Sequence, residues 1–469
     1  MDGRIIVGGE RVETAQTFDV RSPFSGEMIA SVSSADASLS DRSIAEAVAA
    51  AERMKRLPRF EIAKGLRQIA SGIEARRDEF ARMIALECAK PLIYSRGEVD
   101  RAIATFSWAA GEAERFTGEV VPVDTQPGGR GKTAYTINVP RGVIYGITPF
   151  NFPLNLVAHK VAPALAAGNA IIIKPSPRTP LTALMLGEVF LESGLPKSAF
   201  QVVPLDVNEL QHVFDDERVA MVSFTGSAPV GWEIKGRIGK KALALELGGN
   251  AAVIVDETAD VAAAVPKIVT GAFAYSGQVC ISVQRLLVQE SLFDTFSSSL
   301  VEQAKSMKNG DPLDKDTRFS VMIDEPAAVR SESWVNEAVQ NGAVLLTGGK
   351  RDGAFLEPTI VTKTSPEMRI ASEEAFAPVL VVERYDRFEQ AVDMVNQGKY
   401  GLQAGVFSRD AGNIANAARD IDCGAVIVND VPTFRVDNMP YGGVKDSGFG
   451  REGVRYAMQE MSEIKLIVN

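Results

Sequence analysis

Between Arg141 and Asp256 the chain repeats one pattern: short runs of Val, Ile and Leu, separated mostly by apolar pieces of helical character. The runs are GVIYGITP (142–149), AIIIKPS (170–176), AFQVVPL (199–205), VAMVSFTGS (219–227), ALALELGG (242–249) and AAVIVD (251–256). Strands without polar alternation bury both faces, and strands joined by helices run parallel, so these runs predict a parallel sheet covered on both sides. A second set follows Asp260: a helix, then SVQRLLVQ, the helix SLFDTFSSSLVEQAKSM, AVLLTGG, PVLVVERY, AGVFS and GAVIVND. At 469 residues the chain exceeds one core, so two doubly wound α/β domains are expected.

Outside this alternation, apolar spacing predicts three opening helices, over 41–57, 58–88 and 95–116. Residues 120–140 mix Pro, Gly and β-branched residues and read as an extended excursion from the core. Their GGRGKT is not a phosphate-binding P-loop, because the first glycine of that motif would fall on Gln126. The tail EMSEIKLIVN reads as a strand needing a partner.

The formal charge of −10 argues against a nucleic-acid surface. No apolar run approaches the roughly 20 residues that span a bilayer. MDGRIIVGGERVE lacks the basic-then-apolar pattern of a secretory leader. The three cysteines, Cys88, Cys280 and Cys423, form no CxxC pair and no disulfide framework, so a cytoplasmic location is expected. With only His159 and His212 available, a multi-histidine zinc site is excluded and no metal is expected. Any base serving Cys280 is then more readily a carboxylate.

Several polar residues stand at the carboxyl ends of the expected strands, where ligands of such sheets bind. Lys174 ends an apolar strand, facing either a ligand oxygen or carboxylate, or simply solvent. Asn151 lies in the stiff turn PFNFP, able to donate to an oxyanion or merely to cap a helix. Glu246 sits in an apolar strand before Gly-Gly, and its burial should raise its pKa toward that of a general base unless a salt bridge holds it. Gly226, Ser227 and Gly231 put backbone N–H groups and a hydroxyl at a helix start, which suits a phosphate; a tight turn and close helix packing would look the same. Cys280, in SGQVCISVQ, has small and polar neighbours rather than those of an inert core thiol.

Taken in order, PFNFP, IIIKPS, FTGS, LELGGN, SGQVC, EEAFAPV and PYGGVKDSGFGREG resemble the signature segments of the aldehyde dehydrogenase superfamily, over essentially the whole chain. The resemblance implies two Rossmann-like domains and an NAD or NADP cofactor. Cys280 would be the nucleophile, Glu246 the base that activates water, and Asn151 an oxyanion donor beside the Cys280 backbone N–H. Lys174, with Ser176, would hold the adenosine ribose, and Gly226, Ser227 and Gly231 the pyrophosphate. Pro149, Phe150, Glu374 and Phe376 would hold the nicotinamide and its ribose. Where NAD-selective relatives carry a ribose-binding glutamate, this chain has Pro177 and then Arg178, so NADP should be admitted.

The branch resembled contains lactaldehyde, phosphonoacetaldehyde and non-phosphorylating glyceraldehyde-3-phosphate dehydrogenases. Arg101 and Arg435 match arginines that grip substrate anions there, unless both merely form surface salt bridges, with His159 a third candidate on the substrate side. The arginine that often precedes the cysteine is replaced by Val279. A small polar aldehyde, neutral or anionic, is expected, converted to the free acid. The implied division is 1–117 with 141–247 for the cofactor domain and 248–447 for the catalytic domain. Residues 118–140 with 448–469 would form an arm that makes a homodimer or homotetramer. The rival reading is a thiol esterase working through Cys280 without a cofactor.

Overall fold

The computed structural model describes residues 2–469. Two large sheets dominate. The first has eight strands, and its five central ones are parallel: Phe200–Val202, Ala170–Lys174, Val143–Ile147, Val219–Thr225 and Ala242–Glu246, side by side in that order. Numbered along the chain from 143, this is the order 3-2-1-4-5 of a doubly wound sheet. It places a crevice between the carboxyl ends of Val143–Ile147 and Val219–Thr225. The second sheet has seven strands, six of them parallel, ordered Thr359–Thr362, Val379–Tyr385, Val283–Gln289, Ala251–Val255, Gln403–Phe407 and Ala425–Val428, with antiparallel Val344–Thr347 at its edge.

The edges of the first sheet come from the far ends of the chain. Ile5–Val7 pairs antiparallel with Phe200–Val202, and Gly448–Phe449 pairs antiparallel with Ala242–Glu246. A separate three-stranded sheet joins Ser462–Val468, Ala134–Pro140 and Val120–Val121. The tail therefore finds its partner within its own chain. Residues 448–461 do not join that sheet: Gly448–Phe449 belongs to the first sheet, and helix Val454–Glu460 follows it.

The opening of the chain differs from the expectation of three helices. Two antiparallel hairpins come first, Ile5–Val12 and Thr17–Ser33, and four helices follow: Ala37–Met54, Arg59–Ala75, Arg77–Cys88 and Leu92–Arg115. Apolar spacing carries straight through residues 59–88, whereas the backbone breaks at Arg76 and ends the third helix on left-handed Ala89. The hairpin strands are short, and two of them, Glu10–Val12 and Thr17–Arg21, are largely exposed, which hid them from an apolar reading.

Helix Asn155–Ala166 is buried along its whole length, as a helix apolar on every side must be. It carries His159 and Lys160 into the interior, so both need polar partners there. Among the described residues no helix is long and apolar enough to cross a membrane.

Candidate active site

The crevice at the strand ends is a cavity of about 240 Å³. Its walls bring together Cys280, Glu246, Asn151, Pro149, Phe150, Gly226, Ser227, Glu374 and Phe376. Nine of the fifteen residues singled out from the sequence thus meet in one place, drawn from five separate segments.

Asn151 is placed by a buried anchor. Glu98 accepts the backbone N–H of Leu154 at 2.9 Å and of Asn155 at 3.1 Å, fixing the turn that carries Asn151. Lys90 pairs with Glu98 and lies 3.6 Å above the Phe152 ring and 4.6 Å from that of Tyr275. This buried pair therefore ties the Asn151 turn to the loop before Cys280. Asn151 Nδ2 donates to the carbonyl of Gln278 at 2.9 Å, leaving its second amide hydrogen for a ligand.

The cysteine loop is bent sharply. Tyr275, Ser276 and Gly277 all have left-handed φ, 52°, 54° and 66°. Two of these are not glycine, and each such residue stores on the order of 1–3 kcal/mol that the surroundings must impose. Ser276 Oγ donates to Ser320 O at 2.6 Å, and the Gln278 side chain accepts the Ile323 N–H at 2.8 Å, so the segment 320–323 holds the bend. Gly277 is obligatory, since a Cβ there would lie 2.1 Å from the Ala377 carbonyl oxygen.

Cys280 itself is half-buried and precedes a strand, not a helix, so no helix dipole assists its ionisation. Burial pushes the thiol up to about 11, against the lowering effect of a hydrogen bond with the Tyr441 hydroxyl at 3.1 Å. Glu246 is fully buried, makes no salt bridge among the described residues, and leaves Oε2 without a partner. Desolvation first, and then the charge of Glu452, raise its pKa well above the carboxylate range. A carboxylate of raised basicity in a residue that lines the cavity can take a proton from water.

The remaining predicted residues divide. Lys174 is 4% exposed, and among the described residues it has no salt bridge or side-chain hydrogen bond; burial lowers its pKa. A buried cation in that state suits ligand oxygens. Ser176 stands two residues on, its hydroxyl accepting Arg178 N at 3.2 Å. Ser227 begins helix Ala228–Arg237 without capping it, so the first-turn N–H groups and the hydroxyl remain available to an anion. Gly231 does not line the cavity. A Cβ there would lie 2.3 Å from Leu247 Cδ2, so this glycine serves close packing of the helix on the Leu247 turn. Glu374 accepts the Gly249 N–H at 3.1 Å, burial raises it to about 7, and Phe376 packs edge-on to Phe150. The lysine, the uncapped helix start and the acid-and-aromatic wall together fit a dinucleotide.

Arg101, Arg435 and His159 lie off this cavity, in a buried ionic network. Asp437 Oδ1 accepts from Arg101 Nη2 at 2.8 Å and contacts His159 Nε2 at 2.8 Å. Arg435 pairs with Glu452 at 3.2 Å and stacks 3.6 Å over the Tyr441 ring, and Glu452 also holds Lys160 at 3.1 Å. Neither arginine stands as a free cation, and Arg435 is no surface residue, its side chain being 6% exposed. The sequence reading missed Tyr441, Asp437, Glu452 and Lys160. The only signal was two charged side chains, Lys160 and Glu452, inside segments otherwise apolar or glycine-rich.

Residues 11–467 match the aldehyde dehydrogenase family. A 3-sulfolactaldehyde dehydrogenase of Priestia aryabhattai is 42% identical over 466 residues, 99% of this chain and 97% of that protein. Aldehyde dehydrogenase 21 from Physcomitrella patens, solved with its reaction product succinate, superposes with a TM-score of 0.98 at 40% identity, covering 99% of this chain and 98% of its own. A glyceraldehyde-3-phosphate dehydrogenase from Methanocaldococcus jannaschii complexed with NADP gives 0.93 at 38%, covering 97% and 100%. The chain belongs to the aldehyde dehydrogenase family. It is an NAD(P)-dependent enzyme that oxidises small aldehydes to acids.

Proposed function

We propose that this enzyme oxidises a small polar aldehyde, hydroxylated or anionic, to its free acid through a thioester on Cys280. The observation that carries this is the meeting of Cys280, Asn151 and Glu246 around one cavity, together with Gly226, Ser227, Glu374 and Phe376. The Cys280 thiolate adds to the carbonyl carbon, and Asn151 Nδ2 with the Cys280 N–H hold the resulting oxyanion. Such donors are each worth about 3–4 kcal/mol. A nicotinamide cofactor held beside Cys280 would supply the acceptor for the hydride that leaves that carbon. Glu246 takes a proton from water, whose oxygen attacks the thioester; the acid leaves and the thiolate returns.

Lys174 and Ser176 would hold the adenosine ribose, Gly226 and Ser227 the pyrophosphate, and Glu374 and Phe376, with Pro149 and Phe150, the nicotinamide end. Pro177 offers no charge against a 2′-phosphate, and Arg178 follows it, which favours acceptance of NADP beside NAD. A hydrolase needing no cofactor would leave Lys174 and the uncapped helix start without purpose.

The substrate class rests on chemistry shared by the relatives. Sulfolactaldehyde, glyceraldehyde 3-phosphate and succinate all bear an anionic group. In this chain the matching cations are partly compensated, Arg101 by Asp437 and Arg435 by Glu452. Arg101, with a side chain 27% exposed, remains the one with reach. A weaker grip than in relatives with a further arginine at the Val279 position follows. Strand Ser462–Val468 exposes Ile464, Leu466 and Val468 on a sheet edge, which supports assembly of this arm with a second copy.

Steady-state reduction of NAD and NADP is the test, with lactaldehyde, succinic semialdehyde, glyceraldehyde 3-phosphate and hexanal, in the wild type and in Cys280→Ala. Anionic or hydroxylated aldehydes should lead in kcat/KM and the variant should be inactive. Hexanal outranking all of them would sink the substrate class, and turnover by the variant would sink the nucleophile.

A further inference from the structure

The sulfur of Cys280 has one side-chain hydrogen-bond partner among the described residues, the hydroxyl of Tyr441 at 3.1 Å. That tyrosine is 3% exposed and held on two sides. Its backbone exchanges two hydrogen bonds with Glu452, N–H to carbonyl at 3.0 Å and the return at 2.7 Å. The Glu452 carboxylate in turn holds Arg435, whose guanidinium lies 3.6 Å from the centre of the Tyr441 ring. Tyr441, Glu452 and Arg435 therefore close a loop of contacts that fixes the phenol and puts a buried cation on its face.

We propose that Tyr441 is a catalytic residue: its O–H donates to the Cys280 sulfur and stabilises the thiolate, both before attack and as the leaving group when the thioester is hydrolysed. The inference rests on Cys280 being the nucleophile. A thiol gains little from a phenol, whereas a thiolate gains a charge-assisted hydrogen bond, so the contact favours the reactive form. The cation over the ring withdraws electron density from the phenol and strengthens the donor. Burial keeps that phenol protonated far above neutral pH, so the donor is always present. When the sulfur becomes acylated it loses its charge and the bond weakens. When water displaces it, the electron pair returns to sulfur and the bond is restored, which helps the leaving group depart.

The charges around this pair come from every neighbouring segment. Glu246 and Glu374 face the sulfur and oppose its ionisation, while Arg435 favours it. Behind Arg435 stand Glu452, His159, Asp437 and Lys160. Only Tyr441 supplies a hydrogen bond among them.

The test is the pH dependence of Cys280 alkylation by iodoacetamide in cofactor-free enzyme, followed by mass spectrometry of the Cys280 peptide so that Cys88 and Cys423 do not contribute. Tyr441→Phe keeps the ring and its contact with Arg435. It should move the midpoint upward by roughly one pH unit, about tenfold less thiolate at a given pH. Incorporation of 3-fluorotyrosine at 441, a more acidic phenol, should move it down. Opposite shifts in the two proteins support the inference, since a space-filling role moves neither. Profiles superimposable on the wild type would overturn it. Alkylation reads the sulfur without turnover, so this result stands apart from the Cys280→Ala assay that tests the nucleophile itself.

Discussion

Asn151 donates its side-chain amide to the main-chain carbonyl of Gln278, two residues before Cys280, at 2.9 Å. One hydrogen of that amide is thus committed to the loop of the proposed nucleophile, and the other is left for the proposed oxyanion. Replacing Asn151 with Ala should lower kcat about 10²- to 10³-fold with little change in KM, as for loss of an oxyanion donor. Steady-state kinetics at saturating cofactor would show it. A matching rise in KM would instead mean that the residue binds the ground state.

Glu452 neutralises two buried cations, Lys160 and Arg435. Glu452→Gln leaves both without a counter-charge, and breaking a buried pair from one side typically costs about 3–5 kcal/mol. The urea midpoint should fall accordingly, and the activity lost should exceed that of Tyr441→Phe.

His159 gives an acid limb to stability. Burial, and then the charge of Arg435, push its pKa down to about 4, against the pull of Asp437. Because the unfolded chain binds this proton near pH 6.5 and the folded one near 4, stability is full above 6.5 and is lost as pH falls between them. The loss is on the order of 3 kcal/mol. Thermal melts from pH 7 to 4 should show it, and His159→Gln should flatten that part of the curve.

Pro177 and Arg178 stand at the lip of the proposed adenosine site, Arg178 held 2.6 Å from Asp324 with its side chain 58% exposed. Pro177→Glu would set a carboxylate against the 2′-phosphate. The ratio of kcat/KM for NADP over NAD should then fall by at least roughly tenfold, about 1.4 kcal/mol. An unchanged ratio would place the adenosine ribose elsewhere.

Ile464 is 75% exposed on the outer edge of the three-stranded sheet. Ile464→Asp should dissociate the assembly with little loss of monomer stability, since nothing within the chain covers that side chain. Light scattering at micromolar concentration reads the mass directly; a wild type that is already monomeric would remove the reason for the arm.

The parallel sheets were legible because their strands bury both faces and leave long apolar runs. The opening hairpins were not, since strands such as Glu10–Val12 and Thr17–Arg21 are mostly exposed and carry no apolar signal. Cys280, Glu246 and Asn151 each had an innocuous alternative in the sequence, and only the order of their motifs singled them out as a set. Arg435 and His159 were singled out, but their linkage with Tyr441, Glu452 and Asp437 into one network could not be read. Its members come from segments up to 293 positions apart, His159 to Glu452, and their pairing depends on which faces of the fold meet. At Gly231 the sequence left a phosphate turn and close helix packing equally open, and the 2.3 Å from a Cβ there to Leu247 Cδ2 shows the packing.

The strand bearing Glu246 is finished from the far end of the chain, where Gly448 pairs with Glu246 and the Ser447 carbonyl accepts the Leu247 N–H at 3.0 Å. During synthesis, therefore, the first sheet waits with an open edge while some two hundred later residues emerge. An apolar strand edge exposed for that long invites pairing with other chains. The proposed base acquires its final setting only when the last segments dock, so nascent chains released early would carry the nucleophile loop yet remain inactive.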